Sequence, residues 1–207
     1  MSHNIAVVGA GSWGTALASA WASKGHIVTV IGRDAQRMET IQSTRQNDRY
    51  LPNIMLPDAL TASADMAALN SADIVAFVTP AQSFSDLLKT ARPHLRSGQF
   101  SILCSKGIDR TTGKSLFDIA GDTQPDLHHC VLSGPSFATD VARGLPTAVT
   151  LASEHRDNAD LMAVVLSTDR LRIDSSTDVV GVETGGALKN GLAVAVGMAR
   201  GLKLGAS

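Results

Sequence analysis

The sequence predicts an α/β protein, a doubly wound and mostly parallel sheet followed by a helix of different character. Three observations carry that prediction. Short apolar runs rich in β-branched residues alternate with Ala-rich stretches of helical length, the pattern of strands covered on both faces. A glycine cluster, GAGSWG (9–14), follows the first such run directly. From Thr177 onward the alternation stops and one long apolar stretch begins.

The elements follow in order. NIAVVG (4–9) is the first strand, a helix runs from about Trp13 to Lys24, and HIVTVIG (26–32) is the second strand. Asp34 has the residue type of an N-cap for a polar helix reaching toward Asn47. RYLPNIMLPDAL (49–60) carries two prolines and reads as an irregular connection. Strands resume with DIVAFVT (73–79), QFSILC (99–104), HHCVLS (128–133), PTAVTLAS (146–153) and RLRI (170–173). The remainder, DVVGVETGGALKNGLAVAVGMARGLKLGAS, reads as one helix running to the chain end. It is apolar on nearly all sides, a pattern that belongs inside something. The expected division is a dinucleotide-binding domain over 1–176 and, over 177–207, the first helix of an all-α domain whose remainder this chain lacks.

Composition narrows the function. Hydrophobic residues make up 44% of the 207 and charged ones 18%, the balance of a folded chain rather than a disordered one. With 18 basic against 19 acidic side chains and no long basic run, nucleic acid is not an expected partner, while a local basic pocket for a small anion is allowed. Cys104 and Cys130 fall in strand-like segments and read as buried thiols. The N-terminus has no secretory pattern, and Lys189 and Arg200 break the best apolar run, so no membrane span and a cytoplasmic location are expected. The histidines lack metal-ligand spacing, and no metal is expected.

Gly9, Gly11 and Gly14 have the G-x-G-x-x-G spacing between a strand and a helix. The first glycine permits a tight turn, the second lets backbone approach a pyrophosphate, and the third lets the helix pack on the strand. The helix N-terminus then offers free N–H groups and positive dipole to phosphate. The competing reading is a turn with packing value only; its place between the first strand and the first helix favours a dinucleotide site. The second strand ends in VIGRD. Arg33 can accept a 2′-phosphate, whereas Asp34 is engaged as a cap, so NADP(H) is the expected cofactor with NAD(H) tolerated.

Lys189 stands inside the apolar run GGALKNGLAVAVGMA. Either its long stem carries the ammonium to water, or a charge is kept in a pocket for chemistry. The positions three and four before it are Gly186 and Gly185, and the position four after is Ala193, so the face beside the lysine is stripped of side chains. Glycine weakens a helix interior by roughly 1 kcal/mol, which suggests close approach of a substrate. Glu183 and Asn190, one heptad apart, are candidates to orient the ammonium. The loops VTPAQ (78–82), CSKGID (104–109) and LSGPSFA (132–138) lie beyond strand carboxyl ends, where such sheets bind ligands. They offer Lys106 and the Gly134-Pro135-Ser136 turn to an anion.

In GAGSWGTALA, NDRYLPNIMLP, CSKGID, LSGPSFATDVARGLPTAV and GVETGGALKN, in that order and spacing, the chain resembles the bacterial NAD(P)-dependent glycerol-3-phosphate dehydrogenase family over nearly its whole length. The resemblance implies a Rossmann-like domain and reversible reduction of dihydroxyacetone phosphate to sn-glycerol 3-phosphate, a supply for phospholipid synthesis. It implies Lys189 as the proton donor and acceptor, also touching substrate. Lys106 would contact both cofactor and substrate, Gly134 and Ser136 the substrate, and Ser12, Trp13, Arg33, Tyr50 and Ala138 the cofactor. A cation beside a lysine and partial desolvation lower its pKa, and Lys106 is the candidate neighbour for Lys189. Thr184 and Gly191 depart from aliphatic residues usual in the family. Family members also continue well beyond this length with an Asp and a Ser-Arg-Asn type segment, so this chain is expected to bind cofactor weakly and to turn over poorly or not at all. A homodimer is compatible with the resemblance. Two other readings stay open: a lysine-dependent reductase of the 6-phosphogluconate, hydroxyisobutyrate or ketopantoate type, and a non-catalytic NAD(P)-binding module.

Overall fold

A computed structural model describes residues 1–203. Ten strands and seven α-helices follow one another along it. β1 (Asn4–Val8), α1 (Ser12–Ser23), β2 (Ile27–Ile31) and α2 (Ala35–Thr44) lead into a small hairpin of β3 (Gln46–Asn47) and β4 (Leu51–Met55), then β5 (Leu60–Ser63). β6 (Ile74–Phe77), α3 (Phe84–Ala91), β7 (Phe100–Leu103), α4 (Leu116–Thr123) and β8 (His128–Ser133) continue the winding. α5 (Ala138–Ala142), β9 (Thr147–Ala152), α6 (Arg156–Leu166), β10 (Leu171–Ser176) and α7 (Val179–Gly201) complete it.

The main sheet has eight strands in the order β10-β9-β8-β7-β6-β1-β2-β5. Every neighbouring pair is parallel except β8 with β9. The doubly wound, mostly parallel prediction therefore holds. β1 lies between β2 and β6, so the chain leaves it toward one side and later returns to the other. That reversal opens a crevice at the carboxyl ends of β1 and β6, the place where such sheets take ligands.

Both faces of the sheet are covered, and β1 shows why its sequence is apolar without alternation. Ile5 and Val7 join one core with Leu17, Trp21 and Met162, while Ala6 and Val8 join the other with Phe77, Phe84 and Leu88. Successive strand residues point to opposite faces, so a strand buried on both sides must be apolar at every position. Trp21 is fully buried, and its Nε1 donates to the Leu166 carbonyl at 3.0 Å, tying α1 to the end of α6. Truncating such a core tryptophan costs about 3–5 kcal/mol.

Three expectations change. The helix begun by Asp34, whose side chain accepts the Arg37 N–H at 3.1 Å, stops at Thr44 because Arg45 turns into the left-handed region at φ 58°. The proline-rich connection holds β4, which pairs with β3 from the expected helix end, and leads into β5, a parallel edge partner of β2. LTAS lacks an apolar run because an edge strand buries little; of its residues only Leu60 is buried. The long helix α7 does not sit inside the described protein. Its first turns pack on β8 and β9, with Val179 in the core and Glu183 buried against the start of α4, whereas Leu188, Leu192, Val194, Val196 and Met198 are exposed. Residues 204–207, which the sequence reading included in the helix, lie outside the described residues. Among the described residues no helix is long and apolar enough to cross a membrane.

Candidate active site

The glycine turn has the stereochemistry its spacing demands. Gly9 sits at φ 128°, and a Cβ there would strike the Val78 carbonyl oxygen. A Cβ on Gly14 would strike the Gly9 carbonyl oxygen, so α1 lies against β1 as closely as backbone permits. Around Gly11 nothing lies within 4 Å of such a Cβ. Gly11 is also the N-cap of α1 and supplies no side chain to the first turn. Two glycines thus serve packing, and the third leaves an open face before a helix N-terminus, where N–H groups favour an anion.

Beside this turn lies a cleft of about 370 Å³. It brings together Ser12, Trp13, Lys106, Ser136, Ala138 and Lys189 from four separate parts of the chain. Their elements explain the convergence: Ser12 and Trp13 open α1, Lys106 follows β7, Ser136 follows β8, Ala138 opens α5, and Lys189 comes from α7. A second recess of about 440 Å³ adjoins through Lys189 and is lined by Gly134, Pro135, Gly185 and Gly186. Gly134 packs tightly there, since a Cβ would come within 2.9 Å of the Val149 Cα.

The two lysines face the same space. Lys106 Nζ donates to the Gly134 carbonyl at 3.2 Å. Crowding by protein around its ammonium, and secondly the Lys189 charge, lower its pKa from the ordinary lysine value. Lys189 Nζ stands 5.6 Å from the centroid of the exposed Phe137 ring, within cation–π range.

Glu183 does not serve Lys189. It is buried, and its Oε1 accepts the Leu116 N–H at 2.8 Å and the Phe117 N–H at 3.3 Å, capping α4. Six positions separate Glu183 from Lys189, which puts them on different sides of α7. Asn190, the other expected partner, has a side chain outside the described residues. The paired glycines also divide. A Cβ on Gly186 would strike Ser133 Oγ, so this glycine lets α7 approach β8; nothing lies within 4 Å of one on Gly185, which borders the recess.

Arg33 and Tyr50 stand apart from the cleft. Arg33 is exposed two residues beyond β2. Tyr50 packs under Arg37, whose guanidinium carbon lies 4.3 Å from the ring centroid. Sequence reasoning passed over Arg37 and Asn47, which both donate to the Ala10 carbonyl inside the glycine turn, at 3.1 and 3.2 Å. It also passed over Thr79, whose buried Oγ1, like the buried Trp13 Nε1, has no hydrogen-bond partner among the described residues. Both residues line the cleft. The loop around Thr79 was legible as a ligand-side loop; a single threonine in it carries no sequence signal.

The family description "NAD-dependent glycerol-3-phosphate dehydrogenase N-terminus" matches residues 4–159, and the corresponding C-terminus description matches residues 178–207. A glycerol-3-phosphate dehydrogenase [NAD(P)+] of Brucella canis is 47% identical over the whole of this chain, which spans 64% of that relative's length. A glycerol-3-phosphate dehydrogenase from Coxiella burnetii superposes on 99% of the chain and 63% of its own length, with a TM-score of 0.90 and 35% identity. The Saccharomyces cerevisiae enzyme of that name covers 99% of the chain and 65% of its own length, at a TM-score of 0.87 and 26% identity. The match over most of its length and the likeness to these relatives agree: this chain belongs to the NAD-dependent glycerol-3-phosphate dehydrogenase family.

Proposed function

We propose that this chain forms the cofactor-binding and proton-transfer part of an NAD(P)-dependent glycerol-3-phosphate dehydrogenase. It would act in the reversible reduction of dihydroxyacetone phosphate to sn-glycerol 3-phosphate, a step that feeds phospholipid synthesis. The observation that carries the reading is the shared cleft: Lys189 from α7 lines it together with Ser12 and Trp13 from the glycine turn.

The residues fit a dinucleotide. The turn excludes side chains at Gly9 and Gly14 and is open at Gly11, and two buried polar atoms beside it, Thr79 Oγ1 and Trp13 Nε1, lack partners among the described residues. A buried polar group without a partner is costly, so such atoms point to a ligand that completes them. Ser12, Trp13 and Ala138 would hold the cofactor, with Gly9, Gly11 and Gly14 shaping the phosphate turn. Bound there, the nicotinamide would supply hydride to the ketone carbon. Lys189 would carry the proton at Nζ and deliver it to the developing alkoxide, an ammonium being suited both to stabilise that charge and to neutralise it. Lys106 would bridge cofactor and substrate, and Gly134 and Ser136 would line the substrate side, where the phosphate explains lysines gathered in a protein of net charge −1.

Arg33 supports a preference for NADP(H) over NAD(H), because an exposed guanidinium beyond β2 can pair with a 2′-phosphate. The division at 176/177, with α7 opening the substrate domain, follows the same reading, and pairing of two copies is a further expectation that sedimentation decides. The test is Lys189→Met in the chain completed with the C-terminal part of a relative, assayed for reduction of dihydroxyacetone phosphate by NADPH absorbance. A fall in kcat of about 10²–10⁴-fold with NADPH affinity retained is expected of a lost acid; undiminished kcat overturns the assignment.

A further inference from the structure

One side chain under the glycine turn is placed to set the turn's direction. Asn47 is almost fully buried, at 2% exposure, although the sequence presents it only as the far end of a polar helix. Its Nδ2 donates to the Ala10 carbonyl at 3.2 Å and to Thr15 Oγ1 at 2.7 Å. Its Oδ1 accepts from Arg37 Nη2 at 2.8 Å, and the same Nη2 donates to the Ala10 carbonyl at 3.1 Å. The Arg37 guanidinium carbon in turn lies over the Tyr50 ring, 4.3 Å from its centroid, within cation–π range. Since Arg37 can only donate, the amide oxygen of Asn47 must face it and the NH₂ must face Ala10 and Thr15.

The consequence lies in the Ala10–Gly11 peptide. A trans peptide holds its C=O and N–H on opposite sides of one plane, and no cis bond occurs among the described residues. Two donors, one from α2 and one from the hairpin, hold the Ala10 oxygen on their side and therefore turn the Gly11 N–H away from them, and a Cβ on Gly11 would meet nothing within 4 Å. One donor is a guanidinium, so the bond is charge-assisted and polarises the peptide toward a more positive N–H. We propose that Asn47, together with Arg37, is a positioning residue for the dinucleotide pyrophosphate, aiming the Gly11 N–H at it without touching the cofactor. The proposal rests on the cofactor reading above and adds to it the role of the hairpin.

The experiment measures binding of two fragments to the chain and to Asn47→Ala by NMR titration. One is ADP-ribose, which carries the pyrophosphate; the other is adenosine 2′-monophosphate, which does not. Asn47→Ala is expected to weaken ADP-ribose about tenfold or more, the effect of leaving one buried acceptor poorly satisfied, with adenosine 2′-monophosphate unchanged. The Gly11 amide resonance is expected to move in the free variant and to lose its response to ADP-ribose. Should Asn47→Ala fold poorly, Asn47→Asp keeps the acceptor for Arg37 but cannot donate to Ala10, and the same selective loss is expected. Unchanged ADP-ribose binding, or an equal loss of both fragments, overturns the proposal while leaving the cofactor site standing. If the unaltered chain binds neither ADP-ribose nor NADPH, the cofactor reading itself fails and this proposal with it.

Discussion

Glu183 of α7 accepts the N–H of Leu116 at 2.8 Å, so the helix that carries Lys189 is fastened to the first turn of α4. Ser115 Oγ takes the Asp118 N–H of the same turn at 3.0 Å, and together the two side chains satisfy Leu116, Phe117 and Asp118. A helix start of this kind, buried under another helix, needs such partners.

Removing that carboxylate should loosen α7. Glu183→Ala leaves two N–H groups without their acceptor and is expected to lower stability by about 1–3 kcal/mol, while Glu183→Gln, which keeps a carbonyl, should lose less. Urea denaturation measures both. Burial pushes the Glu183 carboxyl above the ordinary carboxylate range, ahead of the opposing hydrogen bonds. A raised acid contributes stability that is full below its unfolded value, near 4.3, and lost as pH rises through its folded value. The stability of the unaltered chain relative to Glu183→Gln should therefore grow as pH falls through that window; a difference constant with pH would contradict it.

The lysine pair has its own titration signature. Lys106 has a lowered pKa, so its contribution is full above the ordinary lysine value of about 10.4 and lost as pH falls through the folded value. Lys189→Met removes the second cause and leaves the first. The Lys106 pKa should rise, yet stay below the ordinary value because crowding persists. NMR of reductively ¹³C-methylated protein follows this directly, and an unmoved Lys106 resonance would mean that the two charges do not interact.

Gly9 and Gly11 should part company on substitution. Gly9→Ala puts a side chain at φ 128° and against the Val78 carbonyl, and should destabilise the fold outright, by more than about 1 kcal/mol. Gly11→Val puts its Cβ where nothing lies within 4 Å and should fold while filling the open face of the turn. Thermal melts with and without NADPH separate the cases: the second variant keeps its melting temperature and loses the cofactor-dependent rise. A Gly11→Val that still gains stability from NADPH would remove that face from the binding site.

The adjacent glycines of α7 offer a contrast of similar kind. Gly185→Ala enters open space and should stabilise the helix by about 0.5–1 kcal/mol. Gly186→Ala must displace Ser133 Oγ or the helix itself and should forfeit that gain. Chemical denaturation of the two variants gives the comparison, and equal gains would mean that α7 does not press on β8 at this point.

Much of the molecule was written locally. The runs around Val7, Val30, Val75, Ile102, Val131 and Val149 announce strands buried on both faces, because such strands must be apolar at consecutive positions. Gly9 and Gly14 announce their turn because only glycine tolerates the backbone contacts found there, and at Gly9 the φ as well. The motifs that carry the family resemblance also named six residues that share one cleft.

Tertiary structure decided the rest, and the reason is distance along the chain. Glu183 stands six residues from Lys189, yet its partner is Leu116, 67 positions away, brought near only when α7 docks on the sheet. Asn47 reads in the sequence as the far end of a polar helix, and its role appears only where the β3–β4 hairpin meets Ala10, 37 positions earlier. Residue type and spacing determine what a segment can form, since both act through near neighbours. Which buried donor meets which acceptor is settled by how the elements pack, and that information is spread over the whole chain.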